Sequence, residues 1–276
     1  MRKVRPGASG QQRYVLARAR VALAIGAVTL AAALSLPAAS SADGRPTCFG
    51  RPATIVGGSH DNYIKGTPHD DVIVAGGGSD DVKGGHGDDV ICGGPGKDTL
   101  GGASGNDIMI GGKKHDVLAG SKGNDTLIGD EASSSGGTAR GSSSDMFYGM
   151  SGNDLVIGDD YSPSGDASGG GDDTLNAGPG TDFVVGDSYT RTGHATGSGH
   201  DRLHGIFGAD TLFGDNYAAD PRGSTRGGAR DLLTGAPGDD KLIGGPGHDL
   251  CAGGPDRDGA ARCGYETSIE FTLTGF

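Results

Sequence analysis

Tryptophan is absent, and seven tyrosines and seven phenylalanines hold the aromatic share to 5% of the 276 residues. A chain this poor in large apolar side chains cannot fill one broad globular core. Glutamate is almost missing too: Glu131, Glu266 and Glu270 are the only glutamates among 35 acids. A disordered acidic tail would favour Glu, Lys and Ser over aspartate and glycine. Glycine does not recur every third residue and prolines number 12, which excludes collagen. His-Glu-x-x-His does not occur, and no serine lies in Gly-x-Ser-x-Gly. The sequence marks of a zinc protease and a serine hydrolase are therefore missing, and the chain is not expected to be an enzyme. Gly93 to Lys97 reads Gly-Gly-Pro-Gly-Lys but lacks the Walker spacing, so nucleotide binding is not expected. His194, His200 and His204 are near one another, but the histidines mostly occupy turn positions of the repeat described below, and zinc is not assigned to them.

Positive charge is scarce as well, 23 Lys and Arg against 35 acids, and six of those cations lie before residue 21. Arg2, Lys3, Arg5, Arg13, Arg18 and Arg20 precede the apolar run Val21–Leu36, and Pro37 to Ala42 are mostly small. This order predicts a secretory signal peptide over residues 1–42, cleaved near Ala42, and a secreted, extracellular product. Sixteen apolar residues are short for a membrane span, and Gly26 and Pro37 weaken that reading further. Without the leader, 17 cations face 35 acids, a net charge of −18. That balance argues against nucleic acid and against anionic membrane, and no membrane insertion of the mature chain is expected. It suits cations. A protein or glycan partner is left open.

What the chain has in excess is glycine, 57 residues, and aspartate. Both fall on a nine-residue period. Blocks begin at 57, 66, 75, 84, 93, 102, 111 and 120, then at 140, 149, 168, 177, 196 and 205, and finally at 226, 235, 244 and 253. Of these eighteen nonapeptides, twelve have Gly at position four, and all have an apolar residue at position eight, from Ile64 and Ile73 to Cys251 and Ala260. Position six is Asn62 in the first block. In the other seventeen it is Asp71, Asp80, Asp89, Asp98, Asp107, Asp116, Asp125, Asp145, Asp154, Asp173, Asp182, Asp201, Asp210, Asp231, Asp240, Asp249 and Asp258. A single aspartate can be a mere turn former; seventeen in register need another reason.

The pattern Gly-Gly-x-Gly-x-Asp-x-apolar-x resembles the hemolysin-type, or RTX, calcium-binding repeat. The resemblance spans about residues 48–261. It implies an all-β fold, a parallel β-roll (a calcium-stapled β-solenoid) in which each nonapeptide is one turn and one short strand. It also implies multiple Ca2+ ions, each between turns of adjacent coils, so that block n pairs with block n+2. Candidate metal partners are then Asp71 with Asp89, Asp80 with Asp98, Asp89 with Asp107, and so on to Asp240 with Asp258.

Elementary chemistry points the same way. Gly at positions one and four is expected to supply positive-φ conformations. Calcium takes six to eight oxygens, which turn carbonyls and short Asp carboxylates can offer. Alternation along a strand turns position eight inward. Position nine separates odd from even blocks. It is Val74, Cys92, Ile110, Ile128, Ile157, Val185, Phe213, Ile243 and Ala261 in even ones, but Lys65, Lys83, Gly101, Ala119, Tyr148, Asn176, His204, Thr234 and Ala252 in odd ones. Two blocks therefore make one coil, and nine coils stack to roughly 40 Å. Position four departs from Gly at His60, His69, Lys114, Ser143, Ala229 and Asp256; Lys114 brings a positive charge beside a cation site, and Asn62 weakens the first site.

Four insertions, 129–139, 158–167, 186–195 and 214–225, each begin Gly-Asp and each precede an odd block, so they leave one edge and stack. Tyr161, Tyr189 and Tyr217 recur in three of them. The loops either cover the apolar position-nine column or form an Asp- and Tyr-bearing ligand surface. The first reading is preferred, because an uncovered column would be a long apolar stripe. Cys48, Cys92, Cys251 and Cys263 allow three pairings, of which Cys48–Cys92 and Cys251–Cys263 would tie each end to the roll. Residues 43–56 read as an N-terminal cap with Ile55 in position-eight register. Residues 262–276 read as a C-terminal capping strand, with Thr267, Ile269, Phe271 and Leu273 on one face.

Overall fold

Nine-residue blocks can bury one apolar side chain each only if they stack, and stacking is what the computed structural model displays. It describes residues 44–135 and 137–263, and the backbone of 265–267 and 271–272. The leader assigned to 1–42 lies outside the described residues. Every regular element described is a β-strand. Strands of the odd blocks, from Tyr63–Lys65 to Leu250–Ala252, build a ten-stranded sheet that Tyr265–Thr267 completes. Strands of the even blocks, from Val72–Val74 to Gly259–Ala261, build an eleven-stranded sheet with Ile55–Val56 at one end and Phe271–Thr272 at the other. All pairing within both sheets is parallel and in block register, for example Ile73 with Ile91 and Leu100 with Leu118. The fold is a parallel β-roll with two nonapeptides per coil.

All eighteen position-eight residues, with Ala75 and Ala177, join in a single buried cluster to which both sheets contribute. The core is one side chain thick from each side, so aliphatic residues suffice and tryptophan has no place. Ile55 pairs with Ile73 in that register. The tail is not one strand: Tyr265–Thr267 adds to the odd sheet and Phe271–Thr272 to the even sheet, which makes it a short further coil. Glu266 falls in register with Cys251, whereas Ile269 and Leu273 lie outside the described residues.

The turns correct one expectation. Positive φ occurs at positions two and four, not one and four: Gly94 at position two has φ +107°, and Gly105 at position four has φ +135°. Position one is glycine for lack of room. A Cβ at Gly93 would lie 2.5 Å from Asp98 Oδ2 and 2.6 Å from the carbonyl oxygen of Gly111 in the next coil. Where a residue with a side chain takes the left-handed conformation, as Ala103 does at φ +83°, the backbone is strained.

The four insertions stack as a second set of ladders beside the roll. Their outgoing limbs pair Tyr161–Ser162, Tyr189–Thr190 and Tyr217–Ala218; their returning limbs pair Ala139–Arg140, Ala167–Ser168, Ala195–Thr196 and Thr225–Arg226. Tyr161 and Tyr189 are only 3% and 5% exposed. The Tyr161 and Tyr189 rings are 5.4 Å apart, as are those of Tyr189 and Tyr217. Tyr217 reaches the position-nine residue Phe213 at 4.5 Å. Beneath the loops, Ile128, Ile157 and Val185 are fully buried. The tyrosines therefore roof the apolar column, and the buried rings of Tyr161 and Tyr189 are not offered to a ligand. Before the first loop the same face is roofed by the N-terminal segment. Thr47–Cys48 and Arg51–Pro52 form an antiparallel hairpin, joined to the even sheet by the Cys48–Cys92 disulfide, and Phe49 lies 6.2 Å from Tyr161. Cys251 and Cys263 form the second disulfide.

Two stability measurements check this account. Ala103→Gly is expected to raise, by about 1 kcal/mol, the stability that Gly105→Ala lowers by about 2 kcal/mol or more, because the first releases left-handed strain and the second drives a Cβ into the Gly87 carbonyl. Tyr189→Ser is expected to cost about 3 kcal/mol in calcium-saturated thermal unfolding, and replacing all three loop tyrosines to cost more. An unchanged melting temperature would remove the roofing role.

Candidate functional site

Seventeen carboxylates in register are brought together in two columns, one at each edge of the roll. The odd column runs Asp80, Asp98, Asp116, Asp145, Asp173, Asp201, Asp231 and Asp249, after Asn62; the even one runs Asp71, Asp89, Asp107, Asp125, Asp154, Asp182, Asp210, Asp240 and Asp258. All seventeen are buried. Except in Asp71, whose Oδ1 accepts from the Thr54 hydroxyl at 3.1 Å, each Oδ1 accepts a hydrogen bond from the backbone N–H of the position-six residue one coil earlier. Asp71 donates to Asp89 at 2.8 Å, Asp80 to Asp98 at 2.8 Å, Asp89 to Asp107 at 2.9 Å and Asp240 to Asp258 at 3.0 Å. The insertions do not interrupt the columns: Asp116 N–H reaches Asp145 at 2.7 Å across 29 residues, and Asp201 N–H reaches Asp231 at 3.0 Å across 30. The n to n+2 partners inferred from the repeat are therefore direct neighbours. A glutamate, one methylene longer, would overshoot this contact, which explains the aspartate excess.

The second carboxylate oxygen has no such partner. Oδ2 of every column aspartate except Asp71 is buried without a hydrogen bond, while Asp71 Oδ2 accepts from Thr67 N–H at 2.7 Å. An orphaned, buried, charged oxygen costs free energy unless a cation or a proton meets it. Most lie beside a carbonyl oxygen of the next coil, as Asp98 Oδ2 and Gly111 O do about the space that Gly93 leaves open. Hard oxygens, half of them anionic and packed around glycine-made gaps, fit calcium and offer nothing to a soft metal. The histidines at positions four and three, such as His69 and His86, are exposed and belong to neither column.

Burial raises the carboxyl pKa values. Desolvation pushes Asp89 up to about 6, Asp107 to about 7 and Asp116 to about 9, each partly offset by the backbone hydrogen bond. Asp173 and Asp201 are raised well above the ordinary value by burial, with neighbouring aspartates adding to the rise. Lys114 does not break the odd column. It sits exposed at φ +81°; burial raises Asp98 to about 6 while the Lys114 charge pulls it down, and Asp116 in the same block as Lys114 keeps the buried carboxylate geometry of the rest, its Oδ1 accepting from Asp98 N–H at 2.7 Å. Asn62 opens the column with an amide that donates to Asp80 Oδ1 at 2.9 Å.

Two features of the site escaped sequence reasoning. Position five forms a second, exposed ladder in which Asp70 accepts from Asp88 N–H at 2.9 Å and Asp88 from Asn106 N–H at 2.7 Å. The aspartate after the first glycine of each insertion is also buried: Asp130, Asp159, Asp187 and Asp215. The recurrence of Gly-Asp at spacings of 29, 28 and 28 residues was the available signal for the latter.

The raised values fix a pH dependence. A carboxyl whose folded pKa lies above its unfolded value of 3.8 stabilises the cation-free roll fully below pH 4, and that stability is lost as pH rises through about 6 to 9. In chelator, the folded fraction followed by circular dichroism is expected to fall between pH 4 and pH 9. A flat or rising profile would count against these carboxylates being buried without partners.

No curated protein matches the chain. The family model of the RTX calcium-binding nonapeptide repeat matches residues 65–100, 101–133, 141–160, 167–188, 195–216 and 226–259, together more than half of the sequence. Stacked in-register nonapeptides, a buried Asp column on each edge and this match make one statement: the chain belongs to the RTX calcium-binding nonapeptide repeat family.

Proposed function

We propose that the protein is a secreted calcium-binding roll that takes up several Ca2+ ions through its two Asp columns, and that ion uptake is coupled to folding. The observation that carries this reading is the run of buried Oδ2 atoms without a donor, one in each nonapeptide from the third onward. Calcium, when bound, supplies the positive charge these oxygens lack. Position-six carboxylates would hold it, with turn carbonyls of the neighbouring coil, and glycine at position one keeps that space clear of carbon. Without the ion, stacked carboxylates repel one another and resist desolvation, so the free energy of binding is largely available to folding. Secretion rests on the leader read at residues 1–42; the two disulfides fit an extracellular location. The absence of His-Glu-x-x-His and Gly-x-Ser-x-Gly supports a binding rather than an enzymatic role.

A second reading, a calcium-dependent adhesion or self-assembly module at the cell surface, draws on a different face. The apolar column is roofed, but the outer side of the odd sheet exposes Met146, Tyr148, Met150 and Phe207.

Circular dichroism and sedimentation along one calcium titration separate these readings. The chelated chain at pH 7 is expected to be largely unfolded, and millimolar calcium to restore β structure in a monomer. A chain fully folded at submicromolar free calcium sinks the coupling. Association that appears only with calcium favours the adhesive reading.

A further inference from the structure

The buried aspartates of the insertions are not equivalent. Asp130 accepts from the N–H and the hydroxyl of Ser143, at 2.8 and 2.7 Å. Asp159 faces Gly171 N–H at 2.9 and 3.2 Å from its two oxygens. Asp187 accepts from Gly199 N–H at 2.8 Å through Oδ1 and from Asn216 Nδ2 at 3.3 Å through Oδ2. All three are therefore satisfied at both oxygens. Asp215, in the last insertion, has its Oδ1 on Ala229 N–H at 3.2 Å, but its Oδ2 is buried and accepts nothing. Asp215 lacks both the hydroxyl that meets Asp130 and the amide that meets Asp187: Ala229 stands where Ser143 does, and the coil that follows, from Gly244, carries no insertion and supplies no counterpart of Asn216. What lies there instead is Gly245, at φ +101°, where any Cβ would run into Asp215 Oδ2.

The orphaned oxygen does not stand alone. One carboxylate oxygen from each of Asp215, Asp231 and Asp249 lies within 4.8 Å of the others. Oδ2 of all three is buried and without a hydrogen bond, and the three residues are 3%, 1% and 1% exposed. The Gly244 carbonyl oxygen and Asp231 Oδ2 flank the gap left at Gly214, 2.7 and 2.5 Å from where a Cβ would sit. A column turn presents its own position-six carboxylate and that of the next coil. Here a third one, from outside the nonapeptide pattern, joins them with its second oxygen unpartnered.

We propose that Asp215, Asp231 and Asp249 form a three-carboxylate calcium site that fills before the two-carboxylate sites of the columns. The proposal rests on the calcium reading of those columns, since Asp231 and Asp249 belong to one of them. The number of charged oxygens and the rigidity of the site set calcium affinity. Three carboxylates packed away from water gain more from a divalent ion than two do. Early loading here would fix the last insertion to the C-terminal coils before the rest of the stack is stapled.

The test is a calorimetric calcium titration of the full chelated chain, comparing the unaltered protein with Asp215→Asn and Asp130→Asn. Asn at 215 keeps the acceptor for Ala229 N–H and removes only the charge. The unaltered chain is expected to take up one ion about tenfold or more tighter than the others. Asp215→Asn should lose that first step and keep the later ones; Asp130→Asn, whose carboxylate is already satisfied, should keep both. An unaltered chain with no separate tight step, or Asp215→Asn with that step intact, overturns the proposal while leaving the columns standing. No calcium uptake by any of the three overturns the columns as well. Should Asp215→Asn fail to fold in saturating calcium, native mass spectrometry of the unaltered chain at one equivalent of calcium decides. A dominant one-ion species supports the site, and a spread from none to many ions overturns it.

Discussion

The two oxygens of the position-six carboxylate do different work, and the roll depends on that division. Oδ1 takes the backbone N–H one coil earlier, which locks each turn to the preceding turn of its own edge in register. Oδ2 is carried into the interior of the turn stack with nothing to donate to it. The first oxygen makes the fold regular, and the second makes it electrostatically incomplete. Burying so many unpaired carboxylate oxygens carries a free-energy cost that a bound cation would offset. Calcium binding by this family is thus a consequence of the same side chain that sets the geometry.

Glycine serves that arrangement in two ways. At positions two and four it allows a backbone that side chains resist. At position one it keeps a Cβ out of the space between a carboxylate and the next coil's carbonyl. The strand contributes little more than one inward aliphatic residue per nine, enough to join the sheets but not to define a large core. The insertions make up part of the difference. Their tyrosines and the N-terminal hairpin form a roof over the even sheet, so the chain gains a second apolar layer along one face only.

Much of this was legible in the residues. The period of nine, the aspartate column and the odd–even contrast at position nine specify two strands per coil, because burial and turn geometry repeat with the chain. Of the three pairings the four cysteines allow, the structure has the preferred one that ties the ends, Cys48 with Cys92 and Cys251 with Cys263. The assignment of positive φ to position one failed. Glycine can be required by conformation or by crowding, and the sequence does not distinguish the two. The tail read as one alternating strand, yet it splits between both sheets, since each exposed end strand offers its own edge for pairing.

By itself the sequence determined the repeat, the charge column and the class of ion, since these rest on composition and spacing along the chain. Only the tertiary structure decided which carboxylate oxygens are satisfied. Asp130, Asp159, Asp187 and Asp215 occupy the same place in four similar loops. The turn that closes its own loop meets both oxygens of Asp130 and of Asp159, and an amide of the next loop meets the second oxygen of Asp187, whereas Asp215 Oδ2 faces the bare backbone of Gly245 and two column aspartates. Which donor reaches a buried oxygen is decided by how loops and coils pack, and that is fixed only once the coils are stacked.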